Sequence, residues 1–217
     1  YANDAKEKLN NYKKSIAVFI SEPILSCAGQ VPLAKNYLKN LYPIIKKKGG
    51  VCISDEVQTG FGRLGKYFWG YESQKVVPDI VVLGKPMGNG HPIGAVITTS
   101  EIAKSFSKGV EFFSSFGGNP VSCKIGLSVL NVIKTENLQK NSEEVGNYYK
   151  KLLLDLKEKY SSISDVRGSG LFLGIEFFNL NNMKPDSYKA GLLKNELKNY
   201  GVLIGTDGPY NNVIKSK

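Results

Sequence analysis

Histidine and arginine are scarce in this chain of 217 residues: His91 stands alone, Arg63 and Arg167 are the only arginines, and the other 27 of its 29 Lys and Arg residues are lysines. A single histidine leaves no second imidazole for a zinc site built on histidines. Cys27, Cys52 and Cys123 are odd in number, widely separated and without metal-type spacing, which argues for reduced thiols in an intracellular compartment, cytoplasmic or mitochondrial. No apolar stretch approaches the roughly 20 residues that span a bilayer, which argues against a membrane protein. Nothing near Tyr1 resembles a signal peptide or an Arg-rich transit segment. Internal repeats and low-complexity linkers are absent too.

The charge is one-sided, at a formal +10, yet the lysines are dispersed and Lys46-Lys47-Lys48 is the longest run. That run precedes Gly49-Gly50, where cations complement a helix end. A basic balance without a patch is weak support for a nucleic-acid partner and fits small, anionic, phosphorylated substrates better. With 41% hydrophobic residues the chain is long enough for a sizeable core, one domain plus part of another.

Two short, β-branched runs organise what is present. Val51-Cys52-Ile53-Ser54 and Ile80-Val81-Val82-Leu83 are bounded by Gly49-Gly50 and by Gly84, and both read as buried strands. Such strands occur mostly in parallel sheets covered by helices, whose ligands bind beyond the carboxyl ends of the strands. Asp55 ends the first run, and Lys85 follows the second.

An aspartate and a lysine at such ends often do no more than pair or reach solvent. Here Gly84, Gly88 and Gly90 surround Lys85, giving a backbone that turns sharply and approaches a ring or phosphate closely, and Pro86 fixes the exit from the strand. A lysine that attacks an aldehyde needs its neutral form, which partial desolvation favours. Pyridoxal phosphate requires such a lysine, and also a carboxylate at its pyridine nitrogen so that the protonated ring can serve as electron sink. Asp55 suits the second role.

Three ordered motifs carry a resemblance: Ser54-Asp55-Glu56-Val57-Gln58-Thr59-Gly60-Phe61-Gly62-Arg63-Leu64-Gly65, the stretch from Pro78 to Gly94, and Phe116-Gly117-Gly118-Asn119-Pro120. Together they resemble the class III aminotransferases among the fold-type I pyridoxal-phosphate enzymes. Ser26-Cys27-Ala28-Gly29-Gln30, Met87-Gly88-Asn89-Gly90-His91-Pro92 and the run from Thr206 to Val213 look most like the ethanolamine-phosphate and phosphohydroxylysine phospho-lyases of that family.

The resemblance implies an α/β fold: part of the pyridoxal-phosphate-binding large domain over 1–138, a mostly parallel sheet with flanking helices, then an incomplete α+β small domain over 139–217. It implies that Lys85 is the Schiff-base lysine, that Asp55 meets the pyridine nitrogen, that Val57 packs on the ring and that Gln58 bonds near its phenolic oxygen. Ser115 stands where the family usually has a threonine that reaches the cofactor phosphate of the neighbouring subunit of a homodimer; the hydroxyl is kept. Glu22 matches a family glutamate near the active site. Lys215 stands where transaminases commonly carry an arginine that forks onto the substrate carboxylate, and a lysine is the poorer clamp. The phospho-lyases carry lysine there.

Three readings follow from the resemblance. The chain belongs to a lyase that releases phosphate, ammonia and an aldehyde from a phosphorylated amine, or to a transaminase using the same residues, or it is a truncated, catalytically silent fragment. The third arises because the resemblance covers only about the second half of the usual enzyme. The Gly- and Ser/Thr-rich phosphate loop of the family's first half, and the aromatic residue stacked on the ring's other face, are not found here.

Along the chain the spacing predicts a polar helix to about Lys14, a strand over 16–20 and a helix over 33–48. A strand over 93–98 and a helix over 119–134 follow, then a polar break between 135 and 141 and a helix to about Tyr160. One Gly-punctuated strand over 166–175, a helix over 188–200 and a last strand over 202–204 complete the pattern. Trp69, with Tyr67, Phe68 and Tyr71, is expected to pack a short helix after the Asp55 loop. His91 suits a structural place in its loop at least as well as contact with substrate.

Overall fold

Six α-helices are present, and short β-branched runs yield most of the strands, in the computed structural model, which describes residues 1–217. In chain order these are α1 (Ala2–Asn11), β1 (Val18–Ser21), β2 (Ile24–Leu25), β3 (Val31–Pro32), α2 (Tyr37–Lys47), β4 (Val51–Asp55), β5 (Ile80–Leu83), β6 (Ala95–Thr98), α3 (Ser100–Phe106), α4 (Pro120–Thr135), α5 (Leu138–Lys159), β7 (Ile163–Ser169), β8 (Phe172–Asn179), β9 (Lys184–Pro185), α6 (Ser187–Leu197), β10 (Gly205–Asp207) and β11 (Val213–Ser216). Short 3-10 helices occupy Gly70–Gln74, Lys85–Gly88 and Lys198–Tyr200.

The chain divides into two compact units. The first comprises 1–23, 34–61 and 69–137. Its sheet has the order β1-β4-β5-β6; β1, β4 and β5 are parallel and β6 runs antiparallel to β5. Alternation along β4 sends Cys52 and Ser54 to one face, where both are fully buried. Helix α2 covers that face with Leu38, Leu41, Tyr42 and Ile45, and Tyr42 meets Phe19 of β1 edge-on with ring centroids 6.1 Å apart. The start of α2 has no side-chain cap from Asn36; Gln74 Oε1 accepts the Leu38 N–H instead, at 3.2 Å. Asp79, just before β5, accepts from the Cys52 N–H at 2.8 Å and pairs with Lys46 at 2.8 Å, which fixes β4 against the entry to β5.

The opposite face of this sheet, the one that carries Asp55, is less covered than buried strands would be. Val18, Ile20 and Val96 on it are 46%, 57% and 66% exposed.

Burial pushes the Cys52 thiol up to about 11, with the nearby Asp79 carboxylate adding to the shift. Cys27 and Cys123 are exposed. A thiol reagent at pH 8 should therefore modify two cysteines of the native protein and the third only in denaturant. The folded thiol keeps its proton where the unfolded one has lost it, so stability should also fall as pH rises from about 9 to about 11. A native titration that reaches all three thiols would contradict the burial of Cys52.

The second unit comprises 24–33, 62–68 and 138–217. Its antiparallel sheet has the order β10-β11-β8-β7, with β9 added to β8. Leu153 of α5, Val166, Leu173, Ile175 and Phe177 of the β7–β8 hairpin, Ala190 of α6 and Ile214 of β11 form its core. The segments 24–33 and 62–68 join it through the cluster Ile24, Leu64 and Phe172 and through Arg167, whose Nε donates to Gly29 O at 2.8 Å while Nη1 bonds Asp165 and Glu176. The expected boundary at 138/139 lies one residue from the start of the long C-terminal piece, and these two segments from earlier in the chain are added to it.

Three sequence expectations need correction. The stretch 166–175 is not one strand: β7 turns at Gly170, with φ +56, and returns as β8. Residues 202–204 form no strand; β10 begins at Gly205, where it pairs with β11. The polar stretch 135–141 is mostly helical, because only Glu136 and Asn137, the latter at φ +53, separate α4 from α5. The short helix after the Asp55 loop is present as Gly70–Gln74, with Trp69 at its start and the Trp69 ring edge-on to Phe61 at 5.3 Å.

Candidate active site

The carboxyl ends of β1, β4 and β5 lie side by side, and each delivers one of the residues singled out in the sequence. Ser21 pairs with Ser54, so Glu22 sits level with Asp55. Asp55 pairs with Val82, three residues before Lys85. All three expected residues thus occupy one edge of one sheet, the place where parallel sheets bind ligands.

Asp55 is partly buried, and its Oδ1 accepts from the Val57 N–H at 3.0 Å. This two-residue turn holds the carboxylate in one orientation as the chain leaves β4. Val57 then comes close to the end of β5: a Cβ added to Gly84 would lie 3.7 Å from both Val57 methyls and meet nothing else within 4 Å. Gln58 is buried.

Lys85 opens the 3-10 helix Lys85–Gly88 with φ +37 and is exposed. A lysine in this backbone region is strained, by about 1–3 kcal/mol for such outliers, and strain of this kind clusters at functional sites. The turn is held from both sides: Met87 N bonds Gly84 O at 3.1 Å and His91 N bonds Gly88 O at 3.0 Å. His91 ties this loop to the helix that follows. Its Nε2 lies 2.7 Å from Ser122 Oγ in the first turn of α4, and Asn119, the cap of that helix, donates to the same oxygen at 2.9 Å. A cavity of about 700 Å³ opens beside this loop, lined by Met87, His91, Ile93, Phe116, Asn119 and Cys123 among others.

Ser115 is exposed in the stretch between α3 and α4. Lys215 belongs to the second unit, on β11, where its ammonium pairs with Asp207 Oδ1 at 2.8 Å. Gln30 Nε2 donates to the other oxygen of Asp207, also at 2.8 Å.

Two carboxylates of the chain are not legible as site residues from the sequence. Nothing in the local sequence marks Asp207 as the partner of Lys215. The signal for Glu56 is its place next to Asp55, since alternation at a strand end sends consecutive side chains to opposite faces.

Comparison with known proteins decides the family, since the description Aminotransferase class-III matches residues 2–216. The chain belongs to the class-III aminotransferases. It is 45% identical over 208 residues to human "Alanine--glyoxylate aminotransferase 2, mitochondrial", covering 94% of this chain and 40% of that protein. It is 40% identical over 224 residues to "Ethanolamine-phosphate phospho-lyase homolog 1" of Caenorhabditis elegans, covering 100% of this chain and 48% of that protein. Among solved structures, a phospholyase from Arthrobacter in complex with phosphoethanolamine superposes with a TM-score of 0.91 at 38% identity, covering 99% of this chain and 51% of that one. The chain thus spans about half the length of the relatives it matches.

Class-III aminotransferases are pyridoxal-phosphate enzymes, and the residues present fit the group. An oriented carboxylate and an exposed lysine stand on neighbouring strand ends. Val57 lies beside the strand end that leads to that lysine, within van der Waals reach of a Cβ placed on Gly84. No helix of the chain is long and apolar enough to cross a membrane.

Proposed function

We propose that this chain carries the lysine-bearing part of a pyridoxal-phosphate phospho-lyase whose substrate is a phosphorylated amine, either ethanolamine phosphate or phosphohydroxylysine. The observation behind this reading is the alignment of Glu22, Asp55 and Lys85 at three adjacent strand ends.

Bound pyridoxal phosphate supplies an electron sink for charge left on a substrate carbon. Asp55, oriented by the Val57 N–H, is the residue that would hold the pyridine nitrogen in its protonated form. Val57 would hold the ring and Gln58 would orient its phenolic oxygen. Lys85 Nζ, once free, takes the proton from the carbon that bears the substrate nitrogen. Phosphate leaves from the neighbouring carbon, and water converts the unsaturated amine product to an aldehyde and ammonia. In the transaminase alternative Lys85 Nζ would instead carry the proton between substrate and cofactor, and the nitrogen would be kept for a keto acid.

Elimination is favoured by Lys215, a point-charge donor at the place where transaminases have a fork-shaped arginine, and by the pairing of its ammonium with Asp207. The exposed Ser115 suits a hydroxyl that reaches the cofactor phosphate of a second subunit in a homodimer. Three unpaired cysteines and a mitochondrial relative support an intracellular location, cytoplasmic or mitochondrial.

The test incubates the protein and pyridoxal phosphate with phosphoethanolamine and assays both phosphate release and keto-acid-dependent amino transfer. Phosphate without amino transfer is the expected result. Amino transfer without phosphate establishes the transaminase, and failure to take up any cofactor leaves the silent-fragment reading.

A further inference from the structure

We propose that Glu56 is a positioning residue for the cofactor site: a buried carboxylate that fixes the path of the chain where Asp55, Val57 and Gln58 leave the sheet. The inference rests on the reading of those three residues as the cofactor's ring contacts.

Glu56 is 0% exposed. Burying a carboxylate without a countercharge is costly unless every acceptor site meets a donor. Here each oxygen takes two neutral donors. Oε1 accepts from the Ser54 hydroxyl at 3.0 Å and the Tyr71 N–H at 2.9 Å; Oε2 accepts from the Thr59 hydroxyl at 2.7 Å and the Gly70 N–H at 2.7 Å. The main chain of Glu56 is equally engaged, its N–H bonding Val82 O at 2.9 Å and its carbonyl accepting from Gly60 N at 3.0 Å.

These bonds join four pieces of the first unit at one residue: the end of β4, the neighbouring strand β5, the turn 56–60 that contains Val57 and Gln58, and the first N–H groups of the 3-10 helix Gly70–Gln74. The pieces are in close contact. A Cβ on Gly70 would come within 2.9 Å of Thr59, so only a glycine lets the helix approach the turn this closely, and the carboxylate ties the two together.

The donor pattern also explains why a carboxylate is required and an amide would not serve. A hydroxyl can rotate its hydrogen away, whereas a backbone N–H cannot. Glutamine must place its NH2 either against the Gly70 N–H or against the Tyr71 N–H, leaving one buried backbone donor facing another. Glu56→Gln therefore disturbs the turn while nearly preserving volume, and its effect should appear where Asp55, Val57 and Gln58 hold the ring.

The experiment compares wild type, Glu56→Gln and Leu41→Ala, the last a control that truncates the core of the same unit under α2. Three quantities are measured: the dissociation constant for pyridoxal phosphate, the pH at which the absorption band of the bound cofactor changes, and Tm. We expect Glu56→Gln to weaken cofactor binding about tenfold or more and to shift the spectral transition. Leu41→Ala should lose Tm and retain both cofactor properties. Equal binding and an equal spectral transition in wild type and Glu56→Gln overturn the positioning role while leaving the cofactor reading intact. A wild type that takes up no cofactor overturns both. If Glu56→Gln does not fold, Thr59→Val removes one donor from Oε2 and must move binding and spectrum in the same direction by a smaller factor; wild-type values there overturn the proposal.

Discussion

Lys85→Ala should abolish covalent capture of pyridoxal phosphate and lower turnover by about 10²–10⁴-fold, the range for losing a positioned acid–base group. Borohydride reduction of the loaded protein, followed by peptide mapping, reads the first effect directly. The wild type should carry a pyridoxyl group on the peptide containing Lys85, and the variant should carry none. Stability should hardly change, because the side chain is exposed and alanine inherits the same backbone angle, φ +37; surface changes of this kind stay within about 0.5 kcal/mol. Dispersed lysine is the rival explanation for labelling, because 27 of the 29 Lys and Arg residues in the chain are lysines. That rival predicts equal label in wild type and variant, so equal label removes Lys85 from the site. Label confined to the Lys85 peptide excludes adventitious reaction.

Local pattern made the central part of this site readable and left its support hidden. Asp55 and Lys85 follow β-branched runs bounded by glycine, and the period of such runs marks strands whatever lies elsewhere in the chain. Both strands occur at the positions read and sit in register, although they are less buried than such runs predict. Glu56 differs because two of its four donors, Gly70 and Tyr71, come from 14 and 15 residues further on, and no local pattern announces such a meeting. Val202, Leu203 and Ile204 mislead in the opposite direction. They have the composition of a strand, yet Leu203 is 87% exposed, and pairing starts only at Gly205, where β11 is available. Segments 24–33 and 62–68 join the second unit through bonds such as Arg167 Nε to Gly29 O and Ser169 Oγ to Leu64 O, which span more than 100 positions. A hairpin likewise hides in the stretch 166–175, where Gly168 and Gly170 read as punctuation of one strand until their positive φ values are known.

Gly146→Ala should destabilise the protein by about 3 kcal/mol, the upper part of the range for overpacking, although helix propensity alone favours alanine there by about 1 kcal/mol. Gly146 lies within α5, so a reading confined to that helix predicts the wrong sign. A Cβ at this position would lie 2.2 Å from Gly170 O, 2.3 Å from Gly170 C and 2.6 Å from Gly170 Cα. All three are backbone atoms, so no rotamer change relieves the clash. The turn cannot retreat either, since a Cβ on Gly170 would itself lie 2.4 Å from Arg63 O. Nor can α5 slide without breaking its bonds to the same neighbours: Ser142 Oγ to Arg63 O at 2.6 Å, Gln139 Nε2 to Gly65 O at 2.8 Å and Lys150 Nζ to Gly168 O at 2.9 Å. Gly191 in α6 is the matching control, because its added Cβ meets nothing within 4 Å. There propensity acts unopposed, and Gly191→Ala should stabilise by about 1 kcal/mol. At roughly 2–4 °C per kcal/mol for a chain of this size, thermal melts should separate the two variants by more than 8 °C with opposite signs relative to wild type. A Gly146→Ala protein that melts at or above wild type would mean that α5 does not rest on the β7–β8 turn at backbone contact.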